Sequence, residues 1–263
     1  MRFRQSRWPD YGQRVPDIVR GLVAIGGGVG IGVGAASYSR LRQRPHCGVA
    51  AGTLALAGMG ALSLGVAGLL PCPSRVARVR ERDDLLDRIP WRGDERVLDV
   101  GCGRGLLLIA AAKRLATGTA TGVDLWNDEL LSGNEAQAVW FNVAAEGVPA
   151  SRIRLATGDA RCLPFADASF EVVLSSLMLH DLSKAEREQA LREMVRVLAP
   201  RGHLGLLDTF FRVGESAAVL RAGGLADVRI SASHSPTHRT LTASSATPIP
   251  IQQVTASAAS ERG

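Results

Sequence analysis

The sequence has little of what a disulfide-stapled or zinc-bound fold requires. Its four cysteines, Cys47, Cys72, Cys102 and Cys162, show no CxxC spacing and no dense framework. That argues against a disulfide scaffold and fits a reduced, cytosolic setting for the main domain. No cluster with metal-ligand spacing and no Ser/His/Asp triad can be picked out. Most of the chain also lacks a surplus of positive charge. The formal net charge is +6, and residues 1–46 carry all of it, with eight arginines (Arg2, Arg4, Arg7, Arg14, Arg20, Arg40, Arg42, Arg44) against Asp10 and Asp17. Residues 47–263 hold the remaining 23 basic and 23 acidic side chains and net zero. With no basic groove and no appended RNA-binding module, nucleic acid is a disfavoured partner.

The basic excess lies instead beside two uncharged runs, Gly21 to Ser39 (19 residues) and Cys47 to Ser74 (28 residues). A helix crosses a bilayer core with about 20 predominantly apolar residues, so both runs are long enough. The short loop Arg40–His46 makes them a hairpin. A cleaved signal peptide fits less well, because the charged lead is long and a second apolar run follows directly. A buried helical hairpin in a soluble fold is the other reading of two glycine-rich, moderately hydrophobic runs. Gly26, Gly30 and Gly34 fall at four-residue spacing, which in a membrane lets two helix backbones approach closely. The GxGxxA match at Gly30–Ala35 lacks a preceding strand and a following acid, so it is not taken as a nucleotide loop. Five arginines before the hairpin and Arg75, Arg78, Arg80 and Arg82 after it, against three in the loop, favour both ends in the cytosol. The expectation is a two-pass membrane protein with a cytosolic domain. Residues 1–17 are its basic segment, 18–74 its hairpin, 75–243 its main domain and 244–263 a disordered tail of Ser, Thr, Ala, Pro and Gln.

From Asp83 onward strand and helix signals alternate. Strand candidates are Arg96–Val100, Ala120–Asp124, Ile153–Thr157, Glu171–Ser175 and His203–Leu207. Helical stretches are Gly105–Ala116, Asp128–Glu146 and Lys184–Leu198, the last opened by a capping box of Ser183 and Glu186. Such alternation predicts an α/β fold, a parallel sheet with helices on both faces. A further helix around Gly214–Ala222 precedes two strand candidates without a helix between them, Asp227–Ser233 and Thr237–Ala243, which read as a terminal β-hairpin.

The chemistry is concentrated in Val97-Leu98-Asp99-Val100-Gly101-Cys102-Gly103-Arg104-Gly105, where a buried strand runs through three alternate glycines into a helix. Glycines permit a tight turn and let backbone amides approach a ligand. Asp124, 19 residues beyond Gly105 at the tip of the next strand, is placed to accept both hydroxyls of a ribose. Asp159, in Gly158-Asp159-Ala160-Arg161 after the third strand, can accept from an adenine amino group or simply close a turn. Together with Leu163-Pro164-Phe165, Phe170-Glu171-Val172-Val173 and Ala199-Pro200-Arg201-Gly202-His203, these segments resemble the class I S-adenosylmethionine-dependent methyltransferases. The widespread type 11 methyltransferase domain is the best match, over about Leu85 to Ala243.

That resemblance implies a Rossmann-like seven-stranded sheet with its last strand antiparallel and S-adenosylmethionine as cofactor. It implies that Asp99, Gly101, Cys102 and Gly103 cradle the amino-acid end, that Asp124 holds the ribose with Leu125 and Trp126 near the adenine, and that Asp159 and Ala160 read the adenine edge. Ser175 is a further cofactor-binding candidate and opens the acceptor side, Ser175–Asp181, where His180 is the candidate general base or acceptor-positioning residue. Two departures stand out: Glu171 where Asp is usual, and Arg201 where a second glycine is common. A Gly-x-Gly-x-x-Gly loop, expected of a nicotinamide-dependent oxidoreductase, is not what Gly101, Gly103 and Gly105 form. The function expected is methyl transfer to a small-molecule or lipophilic acceptor near a bilayer. The alternatives are a membrane scaffold that binds the cofactor without turnover, and a methyltransferase acting on a soluble, protein or RNA acceptor.

Overall fold

The computed structural model describes residue 11 and residues 71–127, 133–234 and 238–245, with backbone alone at 71–76. The expected membrane hairpin and the C-terminal tail lie almost entirely outside these residues. Among the described residues no helix is long and apolar enough to cross a membrane. The chain forms two compact units, residues 1–12 with 77–263 and residues 13–76, and the sheet belongs to the first.

Helix α1 (Pro71–Leu86) leads into β1 (Arg96–Val100), α2 (Leu106–Ala112), β2 (Thr119–Asp124), α3 (Ala136–Ala145), β3 (Ile153–Thr157) and β4 (Phe170–Ser176). Then come α4 (Lys184–Val197), β5 (Leu198–Thr209), α5 (Phe210–Ala222), β6 (Ala226–Ala232) and β7 (His238–Ser244). The seven strands form one sheet in the order β3-β2-β1-β4-β5-β7-β6. β1 to β5 run parallel, while β7 is antiparallel to both β5 and β6, so the expected terminal hairpin is present.

Apolar side chains fill most of the buried strand positions, as with Val97, Leu98 and Val100 of β1 and Val172, Val173 and Leu174 of β4. β1 is covered from Val97 to Val100, and β2 from Ala120 to Val123. Near-continuous apolar runs of this kind suit a parallel sheet with both faces covered. One core joins α4 and α5 to the sheet through Leu191, Met194, Val195, Ala217 and Leu220. A second, across the sheet, joins Leu85, Leu86, Leu108, Ile109 and Val139 of α1, α2 and α3. Strand order reverses between β1 and β4, and the crevice outside the carboxyl ends of strands at such a point is where α/β sheets bind ligands.

Several boundaries differ from expectation, among them the start of α5, which is Phe210 rather than Gly214. α2 stops at Ala112 rather than Ala116. α3 begins at Ala136, because Gly133 turns with φ +67° and Glu135 is extended at φ −131°. β5 extends to Thr209 and is irregular near its start, where Arg201 has φ +61° and the register with β4 shifts. A glycine would take that φ without strain, which is why the Arg201 departure bears on the turn alone. Glu171, the other departure, accepts from the Arg96 backbone N–H (2.8 Å) and from its guanidinium, tying the first residue of β1 to β4.

Candidate cofactor and acceptor site

The glycine loop follows β1 at the reversal point. Gly101, Gly103 and Gly105 all have positive φ (69°, 52° and 85°), a conformation that L side chains rarely adopt. A Cβ on Gly101 would lie 2.5 Å from Met178 Cγ, so only glycine lets the β4 loop close over this turn. Asp99, just before the loop, is 1% exposed, and neither carboxyl oxygen has a hydrogen-bond partner among the described residues. Burial pushes its pKa up to about 8, and the Asp124 charge adds to the effect, while the nearby Leu108 backbone N–H pulls the other way.

Asp124, at the tip of β2, holds this loop. Its Oδ2 accepts from Gly103 N (2.8 Å), and its Oδ1 accepts from Trp126 N (2.8 Å) and Asn134 Nδ2 (3.0 Å). The carboxylate is therefore preorganised by two backbone amides and one side-chain amide, with lone pairs remaining for a further donor. Trp126 is left-handed at φ 57° and donates from Nε1 to Thr157 Oγ1 (3.0 Å), while Leu125 is 56% exposed. Asp159 is occupied by Arg161, whose guanidinium holds its carboxyl below the usual range despite partial burial. Ala160 stands half-buried beside it.

Two predicted site residues turn away from the cleft. Cys102 is buried, and its thiol lies where a Cβ on Gly122 would come within 2.7 Å, so only its backbone can face a ligand. Ser175 is also buried and donates from Oγ to Val100 O (2.8 Å), tying β4 to β1.

On the acceptor side, Leu177 is left-handed at φ 53° and a 3₁₀ turn spans Leu179–Asp181. The backbone strain at Trp126 and Leu177 is thus stored at the carboxyl ends of β2 and β4, on the rim of the site. The turn presents His180, three-quarters buried, with Nδ1 3.2 Å from Asp208 Oδ1 and Nε2 3.5 Å from Asp181 Oδ1. Asp208 is 2% exposed, and its Oδ1 also accepts from Thr209 N (2.6 Å). Directly beyond it, Phe210 and Phe211 stack edge-to-face at 5.4 Å, 51% and 79% exposed, with the Arg239 guanidinium 4.9 Å from the Phe210 ring centre.

Asn134 and Asp208 are site residues that sequence reasoning misses, while Met178 falls within the expected acceptor side without being singled out. Asp208 is detectable in principle as an acid at a strand tip, but the apolar pattern of β5 ends one residue earlier. Among the described residues there is no cluster able to hold a metal ion. The left-handed loop that admits a close backbone approach and the buried, unpartnered Asp99 fit S-adenosylmethionine, whose cationic end offers the missing partner charge.

Comparison with known proteins agrees with this geometry. Residues 97–202 match a family described as "Methyltransferase domain". The demethylmenaquinone methyltransferase of Lactobacillus johnsonii is 33% identical over 129 residues, 49% of either chain. The 27-O-demethylrifamycin SV methyltransferase of Amycolatopsis mediterranei is 33% identical over 135 residues, 50% of this chain and 45% of that protein. The chain thus spans about half the length of the curated relatives it matches. A solved S-adenosylmethionine-dependent methyltransferase from Aquifex aeolicus has the same fold, with a TM-score of 0.54 at 19% identity, over 65% of this chain and 93% of that one.

Proposed function

We propose, from the class I S-adenosylmethionine-dependent methyltransferase domain this chain carries, that the protein is a membrane-anchored methyltransferase acting on a small lipophilic acceptor. The observation that carries methyl transfer is the left-handed glycine loop fastened to Asp124 above the unpartnered Asp99. S-adenosylmethionine supplies, when bound, a methyl group activated on a sulfonium. Asp99 with the loop backbone would hold its amino-acid end, Asp124 its ribose, and Leu125, Trp126 and Asp159 its adenine. The protein's part is chiefly orientation: it fixes donor and acceptor over the β1–β4 crevice and so removes the entropy of their encounter.

Two features support a lipophilic acceptor delivered from a bilayer. The first is the pair of uncharged runs of membrane-spanning length that precede the domain. The second is the exposed Phe210–Phe211 lip with Arg239, at the strand end that also carries Asp208. Aromatic rings beside a guanidinium suit the interface between headgroups and acyl chains. The demethylmenaquinone methyltransferase similarity favours a quinone-like acceptor.

Label transfer tests the reading. Membranes containing the full chain are incubated with methyl-labelled S-adenosylmethionine and separated into lipid, protein, RNA and small-molecule fractions. Label should enter the lipid fraction and be lost with Asp124→Asn. Label in the protein or RNA fraction would refute the lipophilic acceptor. No label in any fraction, with cofactor binding intact, would favour a scaffold that binds the cofactor without turnover.

A further inference from the structure

We infer that residues 1–10, the basic segment ahead of Tyr11, dock along the outer face of α3, and that this contact steadies the helix gripping the glycine loop. The docking is a contact within the chain and does not depend on which acceptor is methylated.

The face departs from the polar surface that such a helix ordinarily turns to solvent. α3 carries no charge along its 10 residues, and Val139, Asn142 and Val143 turn inward. Gln137, Trp140, Phe141 and Ala144, spaced at i, i+3, i+4 and i+7, share the opposite face and are exposed, the two aromatic rings to 39% and 37%. Aromatic rings grouped on an exposed face mark an interaction surface.

Where the chain arrives points to what covers it. Tyr11 packs against the core that contains Val139 and Val143 and donates from its hydroxyl to Oε1 of Glu146 (2.5 Å), the C-cap of α3. The Lys113 ammonium pairs with the other oxygen of that carboxylate. Burial and Glu146 raise the Tyr11 pKa well above the usual phenol range, so the hydroxyl stays a donor. Residues 1–10 therefore set out from the C-terminal end of α3, in the unit that holds the sheet. Extended chain advances about 3.3 Å per residue against about 1.5 Å along a helix, so half of this segment covers the length of α3.

Charge agrees with that path. Residues 128–146 carry Asp128, Glu129, Glu135 and Glu146 and no base, whereas residues 1–10 carry Arg2, Arg4 and Arg7 against Asp10. An anionic bilayer surface draws in basic segments and repels acids, so this face suits a basic peptide better than lipid. Phe3 and Trp8 give the segment apolar side chains to set against Trp140 and Phe141.

The inner face of α3 carries the contact to the cofactor loop. A Cβ on Gly105 would lie 3.0 Å from Val139 Cγ1, and Asn142 Nδ2 donates to Arg104 O (2.9 Å). Just before the helix, Asn134 holds Asp124. Pinning α3 from outside keeps these contacts in register.

The test uses the full chain, in detergent and in phosphatidylcholine vesicles, with Cys47, Cys72 and Cys162 replaced by serine. Ser6 and Gln137 fall at similar distances from the Tyr11–Glu146 contact, about 17 Å of extended chain and about 14 Å of helix. Under a mild oxidant, Ser6→Cys with Gln137→Cys should close an intramolecular disulfide. Ser6→Cys with Arg229→Cys, exposed on β6 at the other edge of the sheet, should not. Arg2→Glu, Arg4→Glu and Arg7→Glu together leave the core untouched. They should slow closure and weaken S-adenosylmethionine binding, each about fivefold, the low end of ordinary coupling between sites.

Equal closure in the two pairs, closure indifferent to the charge reversal, or disulfides formed only between chains would overturn the docking. So would closure lost in vesicles while Gln137→Cys alone becomes blocked to a membrane-impermeant maleimide, which would give the face to the bilayer. Cofactor affinity unchanged while closure slows would overturn the bracing of the glycine loop.

Discussion

Asp99 is a buried acid whose titration bears on the stability of the whole domain. An aspartate with an ordinary pKa of 3.8 is held near 8 by burial. Between those values the unfolded chain has released its proton while the folded chain keeps it. The unfolded state therefore binds fewer protons, and stability falls as pH rises through that window, by at most about 1.4 kcal/mol per pH unit. Asp99→Asn, which cannot ionise, should flatten that decline. Urea midpoints at pH 5 and pH 8 should converge in the variant and stay apart in the wild type, and equal midpoints in the wild type would contradict the burial argument. At this same scale the sequence is least legible. Asp124 can be named from its spacing to the glycines, but its attachment to Asn134 depends on the turn at Gly133, which no periodicity reports. Cys102 and Ser175 can be named by position, and only packing reveals that their side chains face inward.

At the scale of elements, the sequence is more informative. The first three strands and the core helix α4 lie within a residue of expectation, because buried parallel strands and a capped amphipathic helix leave strong local patterns. The capping box of α4 is present: Glu186 N donates to Ser183 Oγ, and Ser183 N donates to Glu186 Oε2. Glu186 also pairs with Arg161, which in turn holds Asp159. The helix start thus bears on the adenine side as well as on the turn carrying His180. Ser183→Ala should cost about 1 kcal/mol, the usual worth of such a cap. In a thermal melt that is a Tm drop of roughly 2–4 °C for a domain of this size. No drop would mean that the Arg161–Glu186 pair suffices to start the helix. The helix termini at Ala112 and Ala136 are less legible, since glycine turns and tertiary hydrogen bonds, not propensity, set them.

For the molecule as a whole, the place where the chain enters the domain matters most. Glu81 of α1 is buried and accepts from Ser233 Oγ (2.5 Å), with His238 Nδ1 at 3.2 Å, and His238 faces Thr209 across the β5–β7 ladder. Residue 77 lies four residues earlier, about 6 Å along the helix, so the chain joins the domain near the carboxyl ends of the parallel strands. Phe210 and Phe211 project at those same ends. If acceptor crosses that lip from a bilayer, Phe211→Ser should raise KM several-fold for a vesicle-embedded isoprenoid hydroquinone. It should leave KM unchanged for a water-soluble hydroquinone assayed in parallel. Equal effects on both would make Phe211 part of the pocket rather than of an entry path.

The clasp of α1 on the hairpin also sets a route for mechanical load. A pull on the chain upstream of residue 77 is passed from Glu81 to the β6–β7 hairpin through Ser233 and His238. From there it spreads along the ladder joining β7 to β5, which runs from His203 to Thr209, instead of acting on one hydrogen bond at a time. Tension from a tether would thus be carried in shear by the sheet edge, while the glycine loop, on the far side of β4, is spared.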